Sequence, residues 1–231
     1  MKLAIVGYGK MGRMIEQLAP EYGFTVAAKA DQSREITLEA FAGVDVAIDF
    51  SIAEAVIPNT QAIAALGINL VIGTTGWLQH LDELKAIVAG AGTGCVWGPN
   101  FSVGVAIFSR LVAQAARMMQ SEAEYEAFAW EAHHSAKKDA PSGTMLKLID
   151  DMRGAGYTKH VDVSSTRAGK IPGTHTVGFD SAADTITVTH TARSREGFAR
   201  GALKAAQWVV GKQGFHEFSD ILFQTGGGTC S

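Results

Sequence analysis

Within fourteen residues, Glu131–Thr144 (E-A-H-H-S-A-K-K-D-A-P-S-G-T) gathers two adjacent histidines, two lysines, an aspartate and a Ser-Gly-Thr turn. Histidine changes charge near neutral pH and serves as general acid or base, while lysine brings positive charge or a second proton. The β-rich segment Tyr125–Trp130 precedes the run, and the helix-like segment Met145–Met152 follows it. A strand therefore delivers proton-transfer groups and cations to the mouth of a helix, whose free backbone N–H groups favour anions. Ser142 is a suitable N-cap after the stiff turn Asp139-Ala140-Pro141, and Gly143 and Thr144 then offer N–H groups. This layout suits a small, multiply anionic substrate. His133 and His134 leave a strand on opposite faces, unless the strand has already become loop. Adjacent histidines rarely chelate one ion and no third ligand has a helpful spacing, so no metal site is expected. Lys138 reads as a solvated charge. For Lys137, spacing alone leaves the surface and functional readings open.

A second pattern lies at the N-terminus. Gly7-Tyr8-Gly9-Lys10-Met11-Gly12 is a G-x-G-x-x-G between an apolar β-type run, Lys2–Val6, and a helix-like segment, Lys10–Ala19. Its glycines would provide a tight turn, close backbone approach to a pyrophosphate, and close helix–strand packing. Asp31 stands nineteen residues beyond Gly12 at the end of the second expected strand, where a carboxylate can accept both hydroxyls of an adenosine ribose. A nicotinamide dinucleotide is the expected cofactor. Asp31 favours NADH by repelling a 2′-phosphate, while Lys10, Arg13 and Arg34 are cations near enough to offset that repulsion, so NADH and NADPH both stay open. The loops Gly73-Thr74-Thr75-Gly76 and Gly98-Pro99-Asn100-Phe101 fall where later strands end, and are candidate walls for the nicotinamide ribose and carboxamide. Residues of these types also build ordinary turns.

The elements that must position these groups follow from periodicity. Strands at Phe24–Ala30, Val44–Phe50, Leu70–Gly73 and Cys95–Trp97 alternate with helices at Val56–Leu66 and Leu81–Ala89, which implies βαβ units and a Rossmann-type, doubly wound parallel sheet. After Pro99 a long helix, Val103–Met119, precedes the catalytic run. Three β-rich segments, Val161–Arg167, His175–Phe179 and Thr185–Thr191, then follow without intervening helices. They predict an α+β second domain with a mainly antiparallel sheet. A last helix spans Phe198–Val210. Residues 1–103 and about 197–231 are assigned to the dinucleotide-binding domain, and 104–196 to the substrate domain.

Composition narrows the class. The chain has 231 residues, 47% apolar and 19% charged with net charge −3, so it is globular and has no basic excess for nucleic acid. No apolar run approaches the ~20 residues of a membrane span. Cys95 and Cys230 have neither zinc nor C-x-x-C spacing, which favours a reduced, cytoplasmic protein. Only the Gly226–Gly228 tail is of low complexity, and a floppy end is expected there.

The run His133–Thr144 matches in full the pattern His-His-x-x-Lys-x-Asp-Ala-Pro-Ser-Gly-Thr, and the chain resembles the 4-hydroxy-tetrahydrodipicolinate (dihydrodipicolinate) reductase family. The resemblance also covers Val71–Gly76, Asn100–Gly104, Arg167–Gly169, Gly173–Val177, His190–Arg195 and Phe198–Ala202. It implies hydride transfer from NADH or NADPH to a cyclic imine dicarboxylate in the diaminopimelate route to lysine. It further implies His133 as general acid/base, Lys137 as partner proton donor, and His134, Gly143 and Thr144, with Ser142 beside them, as holders of the substrate carboxylates. A homotetramer assembled through the second-domain sheets is implied as well. Two departures stand out: the glycine loop is one residue shorter than in many relatives, and Gln32 stands where many carry a basic residue. The rival readings are another two-domain amino-acid-pathway dehydrogenase, which would lack the His-His-x-x-Lys pattern, and a nucleotide-sensing module that has lost catalysis.

Overall fold

Short apolar runs at the start of the chain become strands buried on both faces, the pattern of a parallel sheet covered by helices. The computed structural model describes residues 1–223. It opens with β1 (Lys2–Val6), α1 (Lys10–Leu18), β2 (Thr25–Ala30), β3 (Val46–Asp49), α2 (Val56–Ala65), β4 (Asn69–Ile72), α3 (Leu81–Ala91) and β5 (Gly94–Trp97). Gly7 turns the chain from β1 into α1 with φ +85°, and a Cβ there would fall 2.4 Å from the Phe50 carbonyl oxygen. Pro58 is the third residue of α2, where its missing N–H costs nothing.

The second stretch runs α4 (Val103–Met119), β6 (Glu126–His133), α5 (Gly143–Gly154), β7 (Val161–Arg167), β8 (Thr174–Asp180) and β9 (Thr185–Thr191). These strands form one sheet in the order β7-β6-β8-β9. The β6–β8 and β8–β9 pairings are antiparallel, as expected. β7 departs from simple succession: it pairs in parallel with β6, because α5 carries the chain back across the sheet between them. β6 also runs three residues past the expected Trp130, to His133, because Glu131 finds buried polar partners there and the pairing with β7 continues to His133.

The chain then returns to the first sheet through α6 (Glu196–Val209), β10 (Gly214–Glu217) and α7 (Phe218–Ile221). β10 and α7 had no apolar period to announce them; β10 is short, half-exposed and held by pairing with β5. The complete sheet is all parallel in the order β10-β5-β4-β3-β1-β2, the doubly wound arrangement expected. Strand order reverses between β1 and β3, and ligands of such sheets bind beyond the strand ends at that reversal. The chain thus forms two compact units, one of Met1–Ser102 with the residues from Glu196 onward, the other of Val103–Arg195. Cys230 and the Thr225–Ser231 tail lie outside the described residues.

α6 packs across β3, β4 and β5 and against α1. Close approach is possible because Gly201 has no side chain: a Cβ there would fall 1.6 Å from the Phe101 carbonyl oxygen. Gly197, on the same helix, has only ordinary contact at 3.7 Å with Ser102. Gly201→Ala is therefore expected to destabilise the protein by about 3 kcal/mol or more in urea unfolding, whereas Gly197→Ala stays within about 1 kcal/mol of wild type.

Candidate active site

Alternation along β6 puts Ala127, Ala129, Glu131 and His133 on the face of the second sheet that meets α4 and α5. The rows across the sheet follow from register. Ala129 stands beside Val163 and Val177, an apolar row, whereas Glu131 stands beside Ser165 and His175, and His133 beside Arg167. The buried face thus changes from apolar to ionisable within two residues of β6.

Glu131 is fully buried. Its Oε1 accepts hydrogen bonds from the Ser142 backbone N–H (3.0 Å), Ser165 Oγ (2.8 Å) and Arg167 Nη2 (2.6 Å). Burial pushes its carboxyl up, but these three donors outweigh burial and bring it down to about 2. Oε2 lies 3.7 Å from His133 Nδ1 and 3.6 Å from His175 Nε2, too long for hydrogen bonds. Burial lowers His133, with the Glu131 charge opposing. Burial, then the neighbouring His133, takes His175 down to about 4. Glu131, His133 and His175 are also the grouping among the described residues whose donor atoms approach closely enough to hold a metal ion. The Arg167 cation on the same carboxylate opposes a dication there.

At the start of α5, Ser142 caps the helix by accepting from the Met145 N–H, and its Oγ lies 3.2 Å from His175 Nε2. Ser142 is buried, so both its side chain and its N–H serve the protein itself. Lys137 Nζ contacts Asp139 at 2.8 and 2.9 Å. Lys137 first, and the Gly143 backbone N–H as well, hold the Asp139 carboxyl low. Gly143 is exposed with open space where a Cβ would stand; His134 and Thr144 are half-buried, and Lys138 is exposed. Glu131, Arg167 and His175 lay within the sequence motifs but drew no role there. Their signal is the period of two from Glu131 to His133, combined with a strand register that only pairing reveals.

In the first unit a cavity of about 920 Å³ is lined by Gly7, Tyr8, Gly9, Asp31, Arg34 and Phe50, among others. A second, of about 440 Å³, takes in Gly9, Lys10, Met11, Gly73, Thr74 and Thr75. The two share Gly9 and Phe50–Ile52, so they adjoin at the glycine loop. Gly12 is buried instead, with Gly7 O 2.6 Å from where a Cβ would stand, and it sets the packing of α1 on β1. Gly9 differs: nothing in the protein lies within 4 Å of a Cβ there, so the space beside it is free for a ligand. Asp31 Oδ1 accepts from the backbone and hydroxyl of Ser33, which hold its carboxyl low. Tyr8 is tied by its hydroxyl to Glu16, which pairs with Lys29 at 2.6 Å, a cation the sequence did not single out. Gly98–Phe101 lines neither cavity; Phe101 is buried against Phe218 at 4.7 Å between ring centres, and Asn100 Oδ1 accepts from the Ser102 N–H.

A family model described as dihydrodipicolinate reductase, C-terminus, matches residues 104–222, and its N-terminal counterpart matches residues 1–101. The chain belongs to the dihydrodipicolinate reductase family. A 4-hydroxy-tetrahydrodipicolinate reductase of Christiangramia forsetii is 35% identical over 96% of this chain and 98% of that one. Another, from Methanococcoides burtonii, is 39% identical over 77% of this chain and 73% of that one. The fold is shared with a dipicolinate-bound dihydrodipicolinate reductase from Paenisporosarcina sp. TG-14, with a TM-score of 0.80 at 20% identity, covering 96% of this chain and 99% of that one. Membership of the dihydrodipicolinate reductase family makes the chain an oxidoreductase of lysine biosynthesis with a nicotinamide cofactor, and displaces the rival dehydrogenase and sensor readings.

The ionisable row has a consequence for stability. A histidine whose value falls from 6.5 to about 4 on folding is neutral in the native state and charged in the unfolded one between those limits. Its contribution is whole above pH 6.5 and is lost as pH falls toward 4. The melting temperature is expected to drop by several degrees across that window, and His175→Gln should flatten the drop. An equal slope in the variant would remove His175 as its source.

Proposed function

We propose that the protein transfers a hydride from NADH or NADPH to 4-hydroxy-tetrahydrodipicolinate, whose 4-hydroxyl leaves as water to give the conjugated acceptor, so that hydride and a proton supplied from the β6–α5 segment yield tetrahydrodipicolinate. The observation that carries this reading is the carboxylate already paired with Lys137 just before the N-terminal end of α5: Lys137 Nζ holds Asp139 at 2.8 and 2.9 Å, so the place accepts a carboxylate. A dicarboxylate substrate would meet the same donor, with Gly143, Thr144 and His134 around it and Ser142 fixing the helix start.

Bound nicotinamide supplies the hydride. The protein's share is the complementary proton, which must quench the electron pair left on the conjugated substrate. His133 is the group assigned to that step, and Lys137 orients the substrate and partners the proton transfer. In the first unit, Gly7–Gly12 receive the pyrophosphate, Asp31 the adenosine ribose, and Gly73–Thr75 the nicotinamide end. Gly98–Phe101 supports that end as packed backbone. Asp31 favours NADH, with Lys10 and Arg34 at the cavity walls available to a 2′-phosphate. A homotetramer is part of the proposal, supported by the exposed Trp130 on the uncovered face of the second sheet. So is a cytoplasmic location, supported by the buried free thiol of Cys95. No helix among the described residues is long and apolar enough to cross a membrane.

The decisive assay supplies either cofactor with the condensation product of pyruvate and aspartate semialdehyde. Loss of reduced-nicotinamide absorbance is expected only with that substrate; none at all would refute the reaction. Lys137→Ala should lower turnover about 10²-fold while cofactor affinity is unchanged. Asp31→Ala should weaken NADH more than NADPH in binding titrations, and equal weakening would take Asp31 away from the ribose.

A further inference from the structure

Glu131 uses its two oxygens differently. All three of its donors fall on Oε1, and these suffice to tie β6, β7 and the start of α5 together. Oε2 is equally buried and has no donor, and His133 Nδ1, 3.7 Å away, is buried without a partner as well. Leaving a buried acceptor unpaired is costly, and more so when it is charged, so one face of a carboxylate is not left bare without a compensating donor. The two unpartnered atoms complement one another only if the imidazole carries its proton on Nδ1. The other tautomer would set a lone pair against an ionised carboxylate.

We propose that Glu131 is a positioning residue for proton transfer: it holds His133 as the Nδ1–H tautomer and so makes Nε2 the nitrogen that gives and takes the substrate proton. The inference rests on His133 being the acid of the proposed reaction. When His133 is protonated, the proton on Nε2 passes to the substrate carbon that hydride addition leaves electron-rich, and neutral His133 keeps its Nδ1 proton facing Glu131. Solvent then restores the Nε2 proton. The surroundings support this division. Gly173, at φ +152°, leaves room for the His133 ring, since a Cβ there would lie 3.1 Å from Nε2. His175 shares Oε2 but is held neutral, so it does not compete for the charge that favours protonated His133. The other charged groups facing His133 are Lys137 and Asp139 from the loop and Arg167 from β7. The two cations oppose protonation, and Asp139 and Glu131 favour it.

Two measurements on the full chain test the proposal. In wild-type protein labelled with ¹⁵N in its imidazoles, long-range ¹H–¹⁵N correlation should report the Nδ1–H tautomer for His133. An Nε2–H tautomer would overturn the proposal, and this reading needs neither a variant nor an activity. Glu131→Gln keeps the size and the acceptor but removes the charge. It should lower kcat about 10²-fold with KM little changed, and move the alkaline limb of the kcat–pH profile to lower pH, because protonated His133 loses its counter-charge. Wild-type kcat with an unmoved limb would overturn it. His133→Asn separates the two levels: if that variant retains full turnover, the assignment of His133 is wrong. If it loses turnover while Glu131→Gln behaves as wild type, only the role of Glu131 is wrong.

Discussion

A carboxylate with no access to water, as at Glu131, is tolerated only when donors reach it from several directions, and here they come from different elements. Ser165 and Arg167 approach from β7, and the Ser142 N–H from the mouth of α5. Arg167 extends the same hold into the loop by donating to the Asp139 carbonyl at 2.6 Å. The strand that carries His133, the loop that carries Lys137 and the helix that presents Gly143 are therefore indexed to one buried charge. Replacing that charge with an apolar side chain would take the carboxylate from Arg167 and leave the buried Ser142 N–H without its acceptor. The local cost and the loss of register would come together.

The first unit meets a different constraint, set by backbone proximity. Gly7 and Gly12 are explained by the protein alone, since a Cβ at either would collide with a main-chain oxygen. Gly9 is not, because the space beside it is empty of protein. The glycine motif is thus two residues fixed by backbone proximity around one that borders open space, at the point where the strand order of the sheet reverses.

Apolar periodicity placed the strands and helices of both units closely, and α4 to the residue, because long amphipathic segments and fully buried strands leave strong patterns. β10 was invisible for the opposite reason: Gly214–Glu217 has no pattern of its own and is a strand by virtue of β5 beside it. The parallel pairing of β7 with β6 was equally hidden, since strand partners depend on which way a helix crosses. In the run Glu131–Thr144, residue types pointed to proton transfer beside an anion-binding helix start, and the family resemblance singled out His133 and Lys137. The partnership of Glu131 with Arg167 and His175 required register, which composition does not carry. Ser142 was legible as the N-cap of α5, and its Oγ does cap that helix, while the reach of its N–H to Glu131 was not. Phe101 was read as a cofactor wall and is a packed aromatic.

The first unit is built from both ends of the chain, while the second is a single uninterrupted stretch. Asn69 makes the dependence concrete: its side-chain amide donates to the Val209 and Lys212 carbonyls, and its carbonyl accepts from the Gly94 N–H. On the ribosome, the inserted unit has every residue it needs once Arg195 has emerged, while β4 and β5 still wait for partners 140 or more positions downstream of Asn69. The segment made second is thus the first able to finish folding, and the sheet begun first remains an open template until the last helix arrives.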